Sequence, residues 1–151
     1  MPQSIPQIAE INVSYKPNST ISKRISTSRD AFDVFKTFFS EDTISLQEQF
    51  MVIFLNHAND VIGIYPASKG GISGTVVDVR IILAIALKSA AVGIILAHNH
   101  PSGNLQPSNA DVSLTAKLKA SASLMDINVL DHLIIAGAKD CYYSFADEGE
   151  M

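Results

Sequence analysis

The 151-residue sequence has a single cysteine, Cys141, and no long hydrophobic run. One cysteine cannot form an internal disulfide, which fits a protein of the reducing cytoplasm. Because Cys141 lies in the apolar stretch CYYSF, we expect it to be a small buried core residue. A transmembrane helix needs about 20 apolar residues, and no segment approaches that length. The start, MPQSIPQIAE, lacks the basic region followed by an apolar region that a secretory signal has. The sequence therefore predicts a cytoplasmic protein without membrane contact.

Positive charge is scarce after the first 29 residues. Residues 1–29 carry four basic side chains and one acidic, a net charge of +3, whereas residues 30–151 carry seven basic and 14 acidic, a net charge of −7. An acidic globule is poorly suited to bind a polyanion, so we expect no tight nucleic-acid binding from the domain itself. The basic segment 1–27 is expected to be a solvated arm, with contact to nucleic acid or a partner as the alternative. Nothing in the composition indicates an oligomeric state.

The hydrophobic pattern predicts one α/β domain over residues 28–150, preceded by the arm 1–27. A short strand is expected in the arm at Ile8–Tyr15. In the domain we expect helices and strands in the order α-β-β-α-β-α-β-β, namely a helix from Ser28, which its hydroxyl can cap, a hairpin of strands 49–56 and 61–68, a helix 78–91, a strand 93–99, a helix 108–125, a strand 127–137 and a closing segment 140–149. This order predicts a sandwich in which helices flank a mixed sheet on both faces.

Two histidines, His98 and His100, end the apolar strand 93–99. Residues at i and i+2 of an extended chain point to the same side, so the two imidazoles are expected to lie parallel. Asp111 follows after a turn, at the start of the next predicted helix. Two imidazoles and one carboxylate suit a divalent metal such as zinc and leave a position for water. The pattern therefore predicts a metal site.

Each part of this pattern, taken alone, also occurs in proteins without a zinc site. Ser108-x-x-Asp111 is a capping box that needs no metal. Histidines at a strand end are often surface residues, and two histidines with a carboxylate also hold iron in the facial triad of oxygenases. The tripeptide His98-Asn99-His100 is not an HNH nuclease motif, whose three residues lie far apart. The combined spacing, with ten residues between His100 and Asp111, favours the metal site.

The stretch HNHPSGNLQPSNAD, residues 98–111, resembles the JAMM signature of MPN⁺ metalloproteases in its RadC-type variant. That variant has H-N-H-P-S-G, four residues, and then S-x-x-D. The likeness extends over about residues 28–149 and includes EQF at 48–50, LDH at 130–132 and YSFADEG at 143–149. It implies the MPN fold, which is shared with JAB domains and resembles that of cytidine deaminases.

The resemblance also implies a zinc hydrolase that cleaves a peptide or isopeptide bond in an unknown protein substrate. It implies that His98, His100 and Asp111 hold Zn²⁺, that Glu48 is the base and that Ser108 stabilises the oxyanion. Glu41, in a predicted loop, is the alternative base. The alternative function is a DNA-associated RadC-like repair or mobile-element module whose metal site is not used for proteolysis.

The sequence departs from the family in two places. RadC-like proteins carry helix–hairpin–helix modules before this domain, and residues 1–27 are expected to form none. The Pro-Arg-Glu expected before the long helix is reduced to Val79-Arg80-Ile81. The first departure weakens a DNA-repair role, and the second leaves the expected metal ligands untouched.

Two further histidines and a glycine-rich loop are expected to lie outside the set of metal ligands. His57, in a turn, and His132, in a late strand, are expected to be structural or solvent-facing, although Asp131 and His132 could pair behind the metal ligands. The loop with Gly70, Gly71 and Gly74 lacks the GK[ST] of a P-loop and is expected to be a flap near the cleft.

Overall fold

The protein is a mixed β-sheet with helices on both faces. The computed structural model describes residues 8–12, 14–17, 23–70 and 76–151. Within them the elements follow the predicted order: α1 (Ser28–Lys36), β1 (Gln49–Leu55), β2 (Val61–Lys69), α2 (Val79–Lys88), β3 (Gly93–Asn99), α3 (Asn109–Ser123), β4 (Asn128–Ile135) and β5 (Tyr142–Ser144). The predicted fold class is confirmed. None of the helices in these ranges combines the length and the apolar character needed to cross a membrane.

The five strands lie in the order β2-β1-β3-β4-β5, with β3 in the centre. Neighbouring strands are antiparallel except β3 and β4, which are parallel and joined by α3. All seven residues of β3 are buried, because helices cover both faces of the sheet and strands flank both edges of β3. Buried apolar side chains each stabilise the fold by about 1.5–3 kcal/mol.

Alternate residues of each strand contribute to two separate cores. On one face α1 packs against the sheet through Ala31, Phe32 and Phe35. On the other face α2 and α3 pack against alternate residues of β1 and β3. Ile94, Leu96 and His98 alternate along β3, and the first two belong to this second core. The pleat therefore directs His98 towards the face covered by α2 and α3.

The strand register determines which residues meet at the end of β3. In the antiparallel pair of β1 and β3, Phe50 lies opposite His98. The beginning of β1 therefore adjoins the carboxyl end of β3. Helix α3 begins ten residues after β3 ends, which returns its positively polarised N-terminus to the same edge of the sheet.

Two predictions for the N-terminal part are wrong. Residues 8–12 and 14–15 of the predicted strand Ile8–Tyr15 form no strand and are exposed, while Val13 lies outside the described residues. The N-cap of α1 is Thr27 rather than Ser28, because Thr27 has extended backbone angles and its hydroxyl accepts a hydrogen bond from the N–H of Asp30. The hydroxyl of Ser28 instead donates to Asp147.

Cys141 is exposed, so the prediction of a buried cysteine is wrong. It lies just before β5, the three-residue strand at the edge of the sheet, and the burial in this segment comes from Ser144 and Phe145. The apolar composition of the run did not reveal which of its side chains point inward. Of the predicted glycine flap, Gly70 is described, whereas Gly71 and Gly74 lie outside the described residues.

Candidate metal centre

The predicted ligands His98, His100 and Asp111 lie together at the carboxyl end of β3. The two Nε2 atoms of His98 and His100 are 2.9 Å apart. One carboxylate oxygen of Asp111 lies 3.3 Å from Nε2 of His98, and the other lies 3.6 Å from Nε2 of His100. One ligand atom from each residue lies within 4.8 Å of the other two. The three side chains thus form a group that could hold a metal ion.

The cluster is open to solvent on one side. The side chain of His98 is 1% exposed, whereas those of His100 and Asp111 are 16% and 14% exposed. His98 is therefore held in the core, while the other two side chains border the surface. This arrangement leaves room for a water molecule or a substrate atom next to the three donors.

Asp111 also forms, with the N-cap residue Ser108, the capping box of α3 that the sequence allowed. The Ser108 hydroxyl accepts a hydrogen bond of 3.1 Å from the backbone N–H of Asp111, and Oδ2 of Asp111 accepts one of 2.8 Å from the N–H of Ser108. A carboxylate offers about four lone-pair positions, so it can accept this hydrogen bond and still face the histidines. The capping box and the cluster therefore coexist and are not alternatives.

The turn after β3 fixes the orientation of the His100 ring. Nδ1 of His100 lies 2.6 Å from the carbonyl oxygen of Asn104. A carbonyl oxygen only accepts, so Nδ1 must carry the hydrogen and donate it. In a neutral imidazole the lone pair then lies on Nε2. His100 therefore directs a lone pair into the cluster.

A chain of buried hydrogen bonds fixes the tautomer of His98 in the same way. The Thr115 hydroxyl donates to the carbonyl oxygen of Asp111 at 2.7 Å, so at 2.6 Å it must accept from Nδ1 of His132. Nε2 of neutral His132 then accepts from Nδ1 of His98 at 2.8 Å. This leaves the lone pair of His98 on Nε2, facing His100 and Asp111.

The donor set fits a metal cation. Two imidazole lone pairs and a carboxylate face one another, and two lone pairs only 2.9 Å apart repel unless a proton or a metal ion lies between them. In a tetrahedral zinc site with ligands at about 2.0–2.2 Å, pairs of ligand atoms are about 3.4 Å apart. The separations of 2.9, 3.3 and 3.6 Å lie close to that value. Imidazole nitrogen and carboxylate oxygen are also donors that zinc prefers.

The electrostatics of the cluster agree with this arrangement. Burial alone would raise the pKa of Asp111, but His100 and His98, when a proton rather than a metal ion occupies the cluster, donate to this carboxylate, which outweighs burial and lowers that pKa well below its usual range. The hydrogen bond to Asp111 raises the pKa of His100, and the negative charge of Glu48 adds to the effect. Complete burial lowers the pKa of His132 well below its ordinary value, so His132 is neutral. The cluster thus attracts positive charge, while His132 behind it stays uncharged.

The alternative role for His132, a pair between its ring and Asp131, is not found in the structure. Oδ1 of Asp131 accepts hydrogen bonds from the backbone N–H groups of His132 and Ala146, and Oδ2 accepts from the hydroxyl of Ser144. Adjacent residues in a strand point to opposite faces, so the two side chains diverge. His132 instead contacts His98 and Thr115, a role that its sequence neighbours do not indicate.

Glu48, the expected base, directly precedes β1 and is half-buried. Phe50 lies opposite His98 and their rings stack, so extending the antiparallel register by two residues places Glu48 opposite His100. Its charge is one of the influences that raise the pKa of His100. Glu41 is exposed and lies beside the α1 core, with Phe39 and Ile44, which is the other face of the sheet. The geometry therefore favours Glu48 over Glu41.

Ser108, the expected oxyanion donor, is exposed at the N-cap of α3. A hydroxyl has one hydrogen to donate and two lone pairs, and the capping bond uses only a lone pair. Its O–H therefore remains able to donate to a group bound beside Asp111. His57 is exposed in the turn before β2, as expected for a solvent-facing histidine.

Comparisons with known proteins agree with the fold. A family model described as RadC-like JAB domain matches residues 25–150. A UPF0758 protein of Flavobacterium johnsoniae is 48% identical over 127 residues, which are 84% of this chain and 53% of the relative. A UPF0758 protein of Porphyromonas gingivalis is 40% identical over 135 residues, which are 88% of this chain and 58% of the relative. For UPF0758 protein YfjY of Escherichia coli the identity is 44% over 103 residues, 68% of this chain and 63% of the relative. The chain spans about half the length of the curated relatives it matches.

Proposed function

We propose that this chain, which belongs to the RadC-like JAB domain family, is a zinc-dependent hydrolase of peptide or isopeptide bonds. The observation that supports this most is the convergence of His98, His100 and Asp111, with both imidazole lone pairs facing the carboxylate. Solvent exposure on one side of the cluster leaves a position for water, as catalytic zinc sites require. A half-buried carboxylate, Glu48, lies opposite His100 when the register of β1 and β3 is extended by two residues.

The catalytic groups have different parts in the reaction. A zinc ion held by His98, His100 and Asp111 would supply positive charge and lower the pKa of a bound water to about 7. Glu48 would accept a proton from the attacking water as the oxygen of that water bonds to the carbonyl carbon of the scissile bond. Glu48 then passes the proton to the nitrogen that leaves when the C–N bond breaks, so an acid and an amine result. Ser108 donates a hydrogen bond to the negative charge that develops on the carbonyl oxygen.

The test of this function combines metal analysis with a screen of peptides. We expect about one zinc ion per chain in protein purified without chelators, and cleavage of at least one sequence in a peptide library. Cleavage should stop when a chelator removes the metal and return when zinc is added, since the metal supplies the attacking water. Cleavage that persists in fully stripped protein would contradict the proposal, and iron in place of zinc would favour an oxygenase-type site.

The hydrogen-bond chain behind His98 should control the affinity for zinc. Thr115→Val keeps the size of the side chain but removes the hydroxyl that accepts from His132. His132 is then free to adopt the other tautomer, which would turn the lone pair of His98 away from the metal. We expect zinc affinity to fall by about 10- to 100-fold, as is usual when a residue that orients a ligand is lost. Competition with a chromophoric chelator measures this change.

Thr115→Ser is the matched control, because it retains the hydroxyl and should bind zinc nearly as tightly as the unchanged protein. Equal affinities for the valine and serine variants would show that the hydroxyl does not orient His98.

A further inference from the structure

Asn99, between the two histidines, contacts a different part of the molecule from its neighbours. It is fully buried, and as the next residue along β3 it points away from the face on which His98 stacks against Phe50. Its side-chain amide donates to the carbonyl oxygens of Ile44 and Gln47, at 2.6 and 3.0 Å. Its side-chain oxygen accepts from the backbone N–H of Gln49 at 2.7 Å. All three partners are main-chain groups of residues 44–49.

These contacts lie on both sides of Glu48. Asn99 binds the carbonyl of Gln47, which is part of the peptide group before Glu48, and the N–H of Gln49, which is part of the peptide group after it. The carbonyl oxygen of Glu48 in turn accepts a hydrogen bond of 2.8 Å from the N–H of Gly70. The backbone of Glu48 is therefore fixed relative to β3, the strand that ends in His98-Asn99-His100.

Other amino acids cannot make the same three hydrogen bonds at position 99. An asparagine amide offers two N–H donors and one carbonyl acceptor, and here each makes a hydrogen bond. Aspartate has the same shape but no N–H, so it would place acceptors against the carbonyls of Ile44 and Gln47. Serine is too short to reach all three groups at once. Either substitution leaves buried main-chain groups without partners, and the segment must move to satisfy them.

We propose that Asn99 is a positioning residue that holds the backbone of Glu48 against β3, so that the Glu48 carboxylate can take a proton from water beside His98 and His100. The inference rests on the proposed function, because the position of Glu48 matters to the reaction only if Glu48 is the base. The strand β3 then positions both the proposed metal ligands and the proposed base. Its histidines lie on one face, and Asn99 binds the backbone on either side of Glu48 from the other face. A displacement of about 1 Å in such a site can lower the rate about 100-fold.

Cobalt-substituted protein tests the inference without a substrate. The visible spectrum of bound Co²⁺ changes with pH as the water bound to the ion loses a proton. A nearby carboxylate affects the pH at which this spectral change is half complete, its midpoint. We expect Glu48→Gln to shift this midpoint, and the uncharged variants Asn99→Ser and Asn99→Ala to shift it in the same direction. In the double variants Asn99→Ser/Glu48→Gln and Asn99→Ala/Glu48→Gln the asparagine substitution should add nothing, because both residues act through one carboxylate. All variants should bind one cobalt ion per chain.

Turnover of a peptide found by screening gives a second measurement. Asn99→Ser should lower kcat by about 10- to 100-fold and change KM and zinc content little. Asn56→Ala is the matched control: it removes an asparagine whose side-chain oxygen accepts from the N–H groups of Ala58 and Asp60 in the β1–β2 turn. It should reduce stability without changing kcat or the cobalt midpoint.

The outcomes separate this inference from the proposed function. If Glu48→Gln shifts the cobalt midpoint and neither Asn99 variant does, Asn99 has no positioning role and the proposed function stands. The same conclusion follows if Asn99→Ser lowers kcat by an equal factor with and without Glu48. If Glu48→Gln itself changes neither the midpoint nor kcat, Glu48 is not the base, and the proposed mechanism and this inference fall together.

Discussion

His98→Ala should leave the protein unable to retain zinc. His98 supplies a ligand atom from the rigid end of β3, and its side chain is only 1% exposed. The remaining pair, His100 and Asp111, borders solvent and is held by the adjoining turn and the helix cap. Loss of a residue that merely orients a ligand costs about 10- to 100-fold in affinity, so loss of the ligand itself should cost more than about 100-fold. Elemental analysis after dialysis against micromolar zinc measures the result.

His57→Ala is the control for this measurement. His57 is exposed in the β1–β2 turn, and its removal takes away an imidazole without touching the cluster. It should leave about one zinc ion per chain. Equal zinc in the two variants, or zinc in neither variant and none in the unchanged protein, would contradict the assignment of the metal centre.

Glu48→Gln should keep zinc and lose turnover. The substitution preserves the size of the side chain and leaves the three expected ligands unchanged, so metal content should stay at about one ion per chain. An amide cannot accept the proton from water, and loss of a general base usually lowers the rate by about 10²–10⁴-fold. The loss should appear in kcat more than in KM, because the base acts in the transition state. Steady-state kinetics on a peptide identified by screening gives both constants.

Glu41→Gln is the corresponding control, since Glu41 is the alternative base and lies beside the α1 core. It should have nearly unchanged kinetics. Full activity of Glu48→Gln together with inactive Glu41→Gln would transfer the role to Glu41, and full activity of both would remove a carboxylate base from the mechanism.

Local patterns were enough to predict the cluster from the sequence. The alternation of side chains in an extended chain places His98 and His100 on one side whatever the rest of the fold does. The spacing from Ser108 to Asp111 predicts a capping box, which fixes the carboxylate in the first turn of α3. Both inferences need only a strand, a turn and a helix start. The fold class followed similarly, from the order of the predicted elements.

The residues behind the cluster could not be predicted in this way. His132 meets His98 because β4 pairs with β3 in parallel, and the register of that pair shifts between Ile94 and Ile95. A register shift of this kind depends on packing of the whole sheet rather than on neighbouring residues. The sequence offered Asp131 only as an alternative partner of His132, because the two are adjacent, whereas the partner in the structure, Thr115, lies 17 residues away.

The central place of β3 in the sheet also determines how the site can open. Backbone groups of a central strand bond to neighbours on both sides, so exposing them requires separation of β3 from β1 as well as from β4. Segments of this kind exchange their amide hydrogens only when most of the protein unfolds, whereas exposed loops and helix ends open locally. His98 therefore belongs to the last part of the molecule to lose its structure, and Ser108, at an exposed helix end, to a part that can open alone. Partial unfolding would thus release the proposed oxyanion donor while the histidine at the end of β3 keeps its place.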